Sequence, residues 1–320
     1  MKQTNLLVIG DPSAPYLRLD QLPAGILSTV GATAEKLRPV AAEADVVFVT
    51  TARNDVLSAL WPEFRRVRWV HSLSAGVEGV LFPGLVSSDI PLTNGRGVFK
   101  ESLGEFALAA ILFFAKDLRR MVRNQEAHRW EQFDVEEIRK QTVGIVGYGE
   151  IGRAAARRAH ALDMQVYALR RRAEAPEDPI LSRAFPPAKL QEMLGAVDYL
   201  VVAAPLTSET RGLIGTAEFA AMKPGAVLIN IGRGPVVEEA ALVSALRERR
   251  IRGAALDVFD EEPLPESHPL WQLDNVLLSP HCADHTVTWL DEAFQFFLDN
   301  FHRFRNGEPL QNLVNKNAGY

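Results

Sequence analysis

The chain has 320 residues, 47% of them hydrophobic and 23% charged, with 22 Gly and 19 Pro, a composition that excludes collagen-like, low-complexity and disordered chains. At roughly 150 residues per domain its length suggests two domains. With 35 Lys and Arg against 40 Asp and Glu the formal charge is -5; no global basic field exists for nucleic acid or an anionic membrane, and any anion site must be local.

The single cysteine, Cys282, cannot close an internal disulfide, which excludes a secreted disulfide framework and fits a reducing cytoplasm. The apolar run at 6–9 is too short for a signal peptide and reads as a first strand. The longest apolar run, 106–115, is about half of the roughly 20 residues a membrane helix requires.

Short β-branched runs at 6–9, 46–50 and 67–70, separated by helix-length stretches, predict a parallel α/β sheet in the first hundred residues. Ser102 and Glu105 stand at capping-box spacing before an apolar segment reaching Leu118, which predicts a long buried helix beginning at Ser102. A second alternation follows: strands at 142–146, 165–169, 199–203, 226–229, 253–256 and 276–278, with helices at 151–162, near 189–194 and at 238–248. A Phe- and Leu-rich helix over 286–305 needs a partner surface and is expected to return to the N-terminal domain. The expected division is 1–101 plus 284–320 against 102–283, with a hinge at the crossings.

Gly147-Tyr148-Gly149-Glu150-Ile151-Gly152 follows an apolar strand and opens an Ala-rich helix, the context in which G-x-G-x-x-G binds a dinucleotide. Gly147 then makes the turn, Gly149 admits the pyrophosphate, Gly152 lets helix pack on strand, and the helix N-terminus offers free amides. Where an NAD site would place an acid at the next strand's tip, the sequence has Arg170-Arg171-Arg172. The nearest acids, Asp163 and Glu174, fall before the strand and beyond the loop. Guanidinium forks suit a phosphate dianion, so NADP(H) is the expected cofactor, with NAD(H) possible.

Three further strand ends carry chemistry: Asn230-Ile231-Gly232-Arg233-Gly234, Asp257-Val258-Phe259-Asp260-Glu261-Glu262-Pro263-Leu264 and Ser279-Pro280-His281-Cys282-Ala283. Ends of parallel strands line the ligand crevice of an open α/β sheet, so an Arg, an acid and a His can converge there. A carbonyl that accepts hydride from a dinucleotide gathers negative charge on its oxygen, which calls for a cation and a proton donor. A carboxylate beside His281 would favour the imidazolium. His281 and His285 stand four apart, but Pro280 and the missing glutamate of H-E-x-x-H argue against zinc. Cys282 is expected to be a packing residue, on the premise that neighbours in an extended segment face opposite ways.

Taken in order, these motifs, together with Ser74-Ala75-Gly76-Val77-Glu78, Asn94-Gly95-Arg96-Gly97 and Pro205-Leu206-Thr207, make the chain resemble the D-isomer-specific 2-hydroxyacid dehydrogenase family, and its glyoxylate/hydroxypyruvate reductase branch. The resemblance implies two Rossmann-like, doubly wound parallel-sheet domains around a cleft, 1–101 plus 284–320 binding substrate and 102–283 binding the dinucleotide. It also implies that Arg233 holds the substrate carboxylate and carbonyl, that Glu262 pairs with His281, and that His281 moves the proton. Ala75 and the Gly76 and Val77 amides would cradle the carboxylate, and Asp257 would meet the nicotinamide carboxamide. Tyr148, Gly149, Glu150, Ile151, Pro205, Ile231, Arg233, His281 and Ala283 would complete the cofactor surface, with no metal. Glu78, Asp284 and His285 depart from common family residues; Arg96, Phe99, Trp289, His71 and Ser74 are further pocket candidates, and Trp130 suggests a homodimer arm. The expected activity is NADPH-dependent reduction of glyoxylate- or hydroxypyruvate-type acids to D-2-hydroxy acids. A corepressor-like dinucleotide sensor is the alternative, and formate oxidation is disfavoured because that branch has an amide in place of Glu262.

Overall fold

The computed structural model describes residues 3–50, 53–171 and 178–320; Arg172 and Glu174 lie outside them. The chain divides into two compact units, Met1–Phe99 with Val287–Tyr320, and Lys100–Thr286.

The first unit holds strands β1 (Thr4–Ile9), β2 (Ile26–Gly31), β3 (Val46–Val49), β4 (Trp69–Ser72) and β5 (Leu92–Asn94), with helices α1 (Ala34–Ala41), α2 (Asn54–Leu60) and α3 (Pro83–Val86). The order is β2-β1-β3-β4-β5, and every pairing is parallel. Strands β3 and β4 are buried throughout, and β3 is continuously apolar, as a covered parallel sheet favours, whereas β4 carries the buried polar residues His71 and Ser72. The C-terminal helix Trp289–Asn306 supplies part of that cover. Its Phe297 stacks on Phe48 with ring centres 4.0 Å apart and on Trp69 at 5.6 Å. Polar contacts fix the same helix: Arg305 donates to the Ala24 carbonyl at 3.2 Å, and Arg18 pairs with Asp291 at 2.9 Å.

The second unit opens with α4 (Lys100–Ala115) and α5 (Leu118–Glu126). The expected capping box is not formed: α4 begins two residues earlier, so Ser102 sits inside its first turn and donates instead to the Ala283 carbonyl at 2.6 Å. Nor does the helix run to Leu118. Asp117, at φ 48°, breaks it and caps α5 by accepting from the Arg120 amide. Then come β6 (Thr142–Val146), α6 (Glu150–Ala161), β7 (Gln165–Leu169), β8 (Arg183–Phe185), α7 (Leu190–Leu194), β9 (Tyr199–Val202), α8 (Thr216–Ala221), β10 (Val227–Asn230), α9 (Glu239–Arg247), β11 (Gly253–Leu256) and β12 (Val276–Leu278). All seven strands are parallel, in the order β12-β11-β10-β9-β6-β7-β8. The winding therefore reverses between β6 and β9, the place where open sheets of this kind leave a crevice beyond their carboxyl ends. Among the described residues no helix is long and apolar enough to cross a membrane.

His71 on β4 is fully buried in the first unit, ringed by Phe48, Phe296 and Phe297. Trp69 donates to Thr93 Oγ1 at 2.8 Å, and that hydroxyl lies 2.7 Å from His71 Nδ1; Nε2 has no partner among the described residues. Burial pushes the imidazole pKa down to about 3 from 6.5. The unfolded chain therefore takes this proton first as pH falls. The stability contribution is complete above pH 6.5 and is lost on acidification towards pH 3. The acid-induced drop in urea stability between about pH 7 and about pH 5 should be smaller in His71→Leu than in the wild type, by about 2 kcal/mol; parallel pH dependences would contradict this assignment.

Candidate active site

Gly147 follows β6 at φ +93°, and a Cβ there would stand 2.4 Å from the Ala204 amide nitrogen, so the turn that reverses the chain is packed directly on the end of β9. A Cβ on Gly152 would lie 2.2 Å from the Gly147 carbonyl oxygen, which closes α6 onto the turn. At Gly149, the N-cap of α6, a Cβ would meet nothing within 4 Å. The protein's own packing does not fill that space, and the first amides of α6 border it. A dinucleotide pyrophosphate fits such a position.

Around this loop, Glu150 pairs with Lys100 at 3.0 Å and Ile151 is half-buried on α6. The Pro205 carbonyl accepts from Thr210 at 2.6 Å, and Ile231, buried, continues from β10 with its amide bonded to Val202. Arg170 directly follows β7, its amide donating to the Phe185 carbonyl, and Arg171 faces Glu209 at 3.4 Å. The expectation that no carboxylate reaches this strand end needs correction. Asp178, eight residues beyond Arg170, accepts from the Tyr148 hydroxyl at 2.9 Å.

The remaining strand ends of the unit converge through backbone contacts. A Cβ on Gly234 would fall 2.0 Å from the Phe259 carbonyl carbon, and one on Gly232 would fall 2.7 Å from the Ala204 carbonyl oxygen. The two glycines flanking Arg233 thus press its turn against both the acidic turn after β11 and the loop after β9. Asn230 brackets that turn, donating to the Arg233 carbonyl at 3.1 Å while accepting from the Gly232 amide at 3.1 Å. Arg233 itself is extended, and its guanidinium donates to the Gly232 carbonyl at 2.7 Å.

Glu262 divides its two oxygens. Oε1 accepts from the Phe259 amide at 2.9 Å, and Oε2 lies 2.7 Å from His281 Nδ1. The first bond folds the acidic turn over its own carboxylate; the second brings together two side chains that are 19 residues apart in sequence. His281 has φ +52°, a left-handed conformation disfavoured for a residue with a side chain. What holds it is Asp257. This buried carboxylate collects Ser279 Oγ at 2.5 Å and the Cys282 and Ala283 amides at 3.0 Å each, all on Oδ1. Burial pushes the Asp257 carboxyl above its ordinary range, while the Ser279 bond and the two amides pull the other way. Ser102 donates to the Ala283 carbonyl, so Ala283 is fastened through both its amide and its carbonyl.

That geometry corrects the expectation for Cys282, which is exposed and has its Sγ 3.6 Å from Ser279 Oγ. The segment is a left-handed turn gathered on Asp257, so the alternation of an extended chain does not apply. His285 lies 3.7 Å from Asp284. In the first unit, the loop after β4 carries Ala75, Gly76 and Val77. Asn94 donates to the Ala75 carbonyl at 2.5 Å, and among the described residues the Gly76 and Val77 amides have no backbone carbonyl partner. Glu78 is exposed, the Arg96 carbonyl accepts from Asn312 at 2.6 Å, and Trp289 packs edge-on against Phe99 at 6.0 Å. Sequence reasoning gave Asn230, Ser279 and Asp178 no role and read Ser102 only as a helix cap. Only Asn230 carried a signal, an Asx residue two before a glycine.

A family model, D-isomer specific 2-hydroxyacid dehydrogenase, NAD binding domain, matches residues 108–283. The chain is 34% identical over 293 residues to a glyoxylate reductase of Thermococcus gammatolerans, covering 88% of this chain and 85% of that one. It is 35% identical over 275 residues to a glyoxylate/hydroxypyruvate reductase B of Salmonella paratyphi A, covering 83% and 84%. Among solved structures, an NADPH-dependent glyoxylate/hydroxypyruvate reductase from Sinorhizobium meliloti, in complex with NADP and sulfate, superposes with a TM-score of 0.87 at 28% identity over 99% of this chain and 100% of that one.

If Asp257 organises the His281 turn, Asp257→Ala should lower stability by about 1–3 kcal/mol and speed hydrogen exchange at the Cys282 and Ala283 amides. Asp257→Asn, which keeps an acceptor oxygen, should preserve most of that protection. Equal exchange rates in Asp257→Ala and the wild type would contradict the assignment.

Proposed function

This chain belongs to the D-isomer specific 2-hydroxyacid dehydrogenase family, and on that premise we propose that it reduces a small 2-oxo acid of the glyoxylate or hydroxypyruvate type to the D-2-hydroxy acid, preferring NADPH and accepting NADH. The observation that carries the proposal is the 2.7 Å contact between His281 Nδ1 and Glu262 Oε2, on two turns locked at the carboxyl ends of the sheet.

A bound nicotinamide supplies the hydride. The chain's part is to hold the acceptor and manage charge. The Arg233 guanidinium binds the substrate carboxylate and the carbonyl oxygen, where negative charge grows as the carbonyl is reduced. His281, its Nδ1 hydrogen given to Glu262, delivers the Nε2 proton to that oxygen as general acid, and the neutral ring takes it back in the reverse direction. In this reading Ala75, Gly76 and Val77 provide the carboxylate cradle and Asp257 accepts from the nicotinamide carboxamide. Tyr148, Gly149, Glu150, Ile151, Pro205, Ile231 and Ala283 line the cofactor.

The NADPH preference is supported by Arg170 and Arg171 at the end of β7 and by the NADP bound in a structural relative. The preference for small substrates is supported by the reductases to which the chain is about one-third identical. We further propose a cytoplasmic homodimer. Its motivation is α5 and the segment after it, where Leu118, Met121, Val122 and Val135 are exposed and Trp130 is 95% exposed; sedimentation should give about twice the chain mass, and a monomer at all concentrations would contradict it.

A spectrophotometric panel of oxo acids with NADPH and NADH in parallel tests the activity. Glyoxylate or hydroxypyruvate should be reduced, faster with NADPH. His281→Gln should lose roughly 10²–10⁴-fold in kcat and Arg233→Gln about 10²–10³-fold, both with NADPH still binding by fluorescence. Undiminished turnover in both variants would overturn the mechanism, and a strong NADH preference would overturn the cofactor assignment.

A further inference from the structure

The second residue of the dinucleotide loop does more than fill a variable position. Tyr148 is half-buried, and two guanidinium carbons lie over its ring: that of Arg153, in α6, at 5.5 Å from the centre, and that of Arg170, at the end of β7, at 5.7 Å. Both distances fall within the roughly 6 Å over which an aromatic face attracts a cation. The phenol hydroxyl points its hydrogen at Asp178 Oδ2, and Asp178 Oδ1 accepts from the Ile180 amide at 3.1 Å, so both carboxylate oxygens are held. Burial works against the charge on Asp178. The hydroxyl, the amide and the fields of Arg153 and Arg170 outweigh it and keep the carboxyl below its ordinary range.

Two guanidiniums thus lie over the ring of a phenol whose hydroxyl is bound to a carboxylate within their field, at the strand end where a dinucleotide's adenosine ribose is read. A phosphate dianion drawn to these guanidiniums meets a carboxylate already in their field and is repelled by it. A ribose hydroxyl, by contrast, is a donor and is not opposed. We propose that Asp178, tethered by Tyr148, is a specificity-determining residue: it competes with a 2′-phosphate for the charge of Arg153 and Arg170, and so moderates the NADPH-over-NADH preference. Arg153 is thereby assigned as a second cation of the 2′-phosphate subsite. The inference rests on the NADPH reading above.

Calorimetric binding to the full chain, with adenosine 2′,5′-bisphosphate and adenosine 5′-monophosphate as probes, isolates the 2′-phosphate. Asp178→Asn should tighten the bisphosphate about tenfold and leave the monophosphate within about twofold, because an amide removes the repulsion but keeps the shape. Tyr148→Phe, which keeps the ring and frees the carboxylate, should shift the bisphosphate in the same direction by a smaller factor. Arg153→Gln and Arg170→Gln should each weaken the bisphosphate by about tenfold. Bisphosphate affinity unchanged or weakened in both Asp178→Asn and Tyr148→Phe, with Arg170→Gln still costing affinity, would overturn this inference and leave the NADPH reading standing. Equal wild-type affinity for the two probes, insensitive to Arg170→Gln, would overturn both.

Discussion

An ionised carboxylate can only accept hydrogen bonds. At 2.7 Å from Glu262 Oε2, His281 Nδ1 is the donor whenever that carboxylate is ionised, and the neutral ring then carries its one hydrogen on Nδ1. This single restriction gives an ambidentate imidazole one defined tautomer, which the proposed proton transfer requires. It demands that two turns from different strands be held at hydrogen-bond distance from each other, and much of the second unit's local structure serves that demand.

The means are mostly backbone contacts that side chains would forbid. Gly232 and Gly234 bring the turn carrying Arg233 against Ala204 and Phe259. The Phe259 amide in turn fixes the other oxygen of Glu262. On the far side of the pair, Asp257 collects one hydroxyl and two amides and holds His281 in a left-handed conformation. A free loop would relax from such a conformation, at a gain of about 1–3 kcal/mol. The side chains expected to do chemistry are few, and the groups that aim them are carbonyls, amides and absent Cβ atoms.

This division explains what could be read from the sequence. Strands at 142–146, 165–169 and 253–256 were legible to the residue because interior parallel strands are largely apolar runs, and the edge strand at 276–278 was legible because it is itself Val-Leu-Leu. Edge strands β2 and β8 and the three-residue β5 lack that signature: β2 has exposed Leu27 and Ser28, and β8 places Arg183 and Ala184 in solvent. The dinucleotide loop and the Arg, Glu and His turns were visible as motifs. Their supports were not, because Ser102 to Ala283 and Ser279 to Asp257 are bonds between residues distant in sequence. Ser102 also shows how a local rule loses to a tertiary one: its spacing to Glu105 suits a cap, yet the hydroxyl is taken by a remote carbonyl and Glu105 pairs with Arg158. Asp178 was passed over for the same reason, since only the folded Tyr148 hydroxyl relates it to the loop.

The most direct measurement is the tautomer of His281. In the protein labelled with nitrogen-15 histidine, with the resonance assigned by its loss in His281→Gln, the neutral ring should carry its hydrogen on Nδ1, and Glu262→Gln should abolish that bias. A neutral His281 protonated on Nε2 in the wild type, indifferent to the Glu262 substitution, would contradict the account.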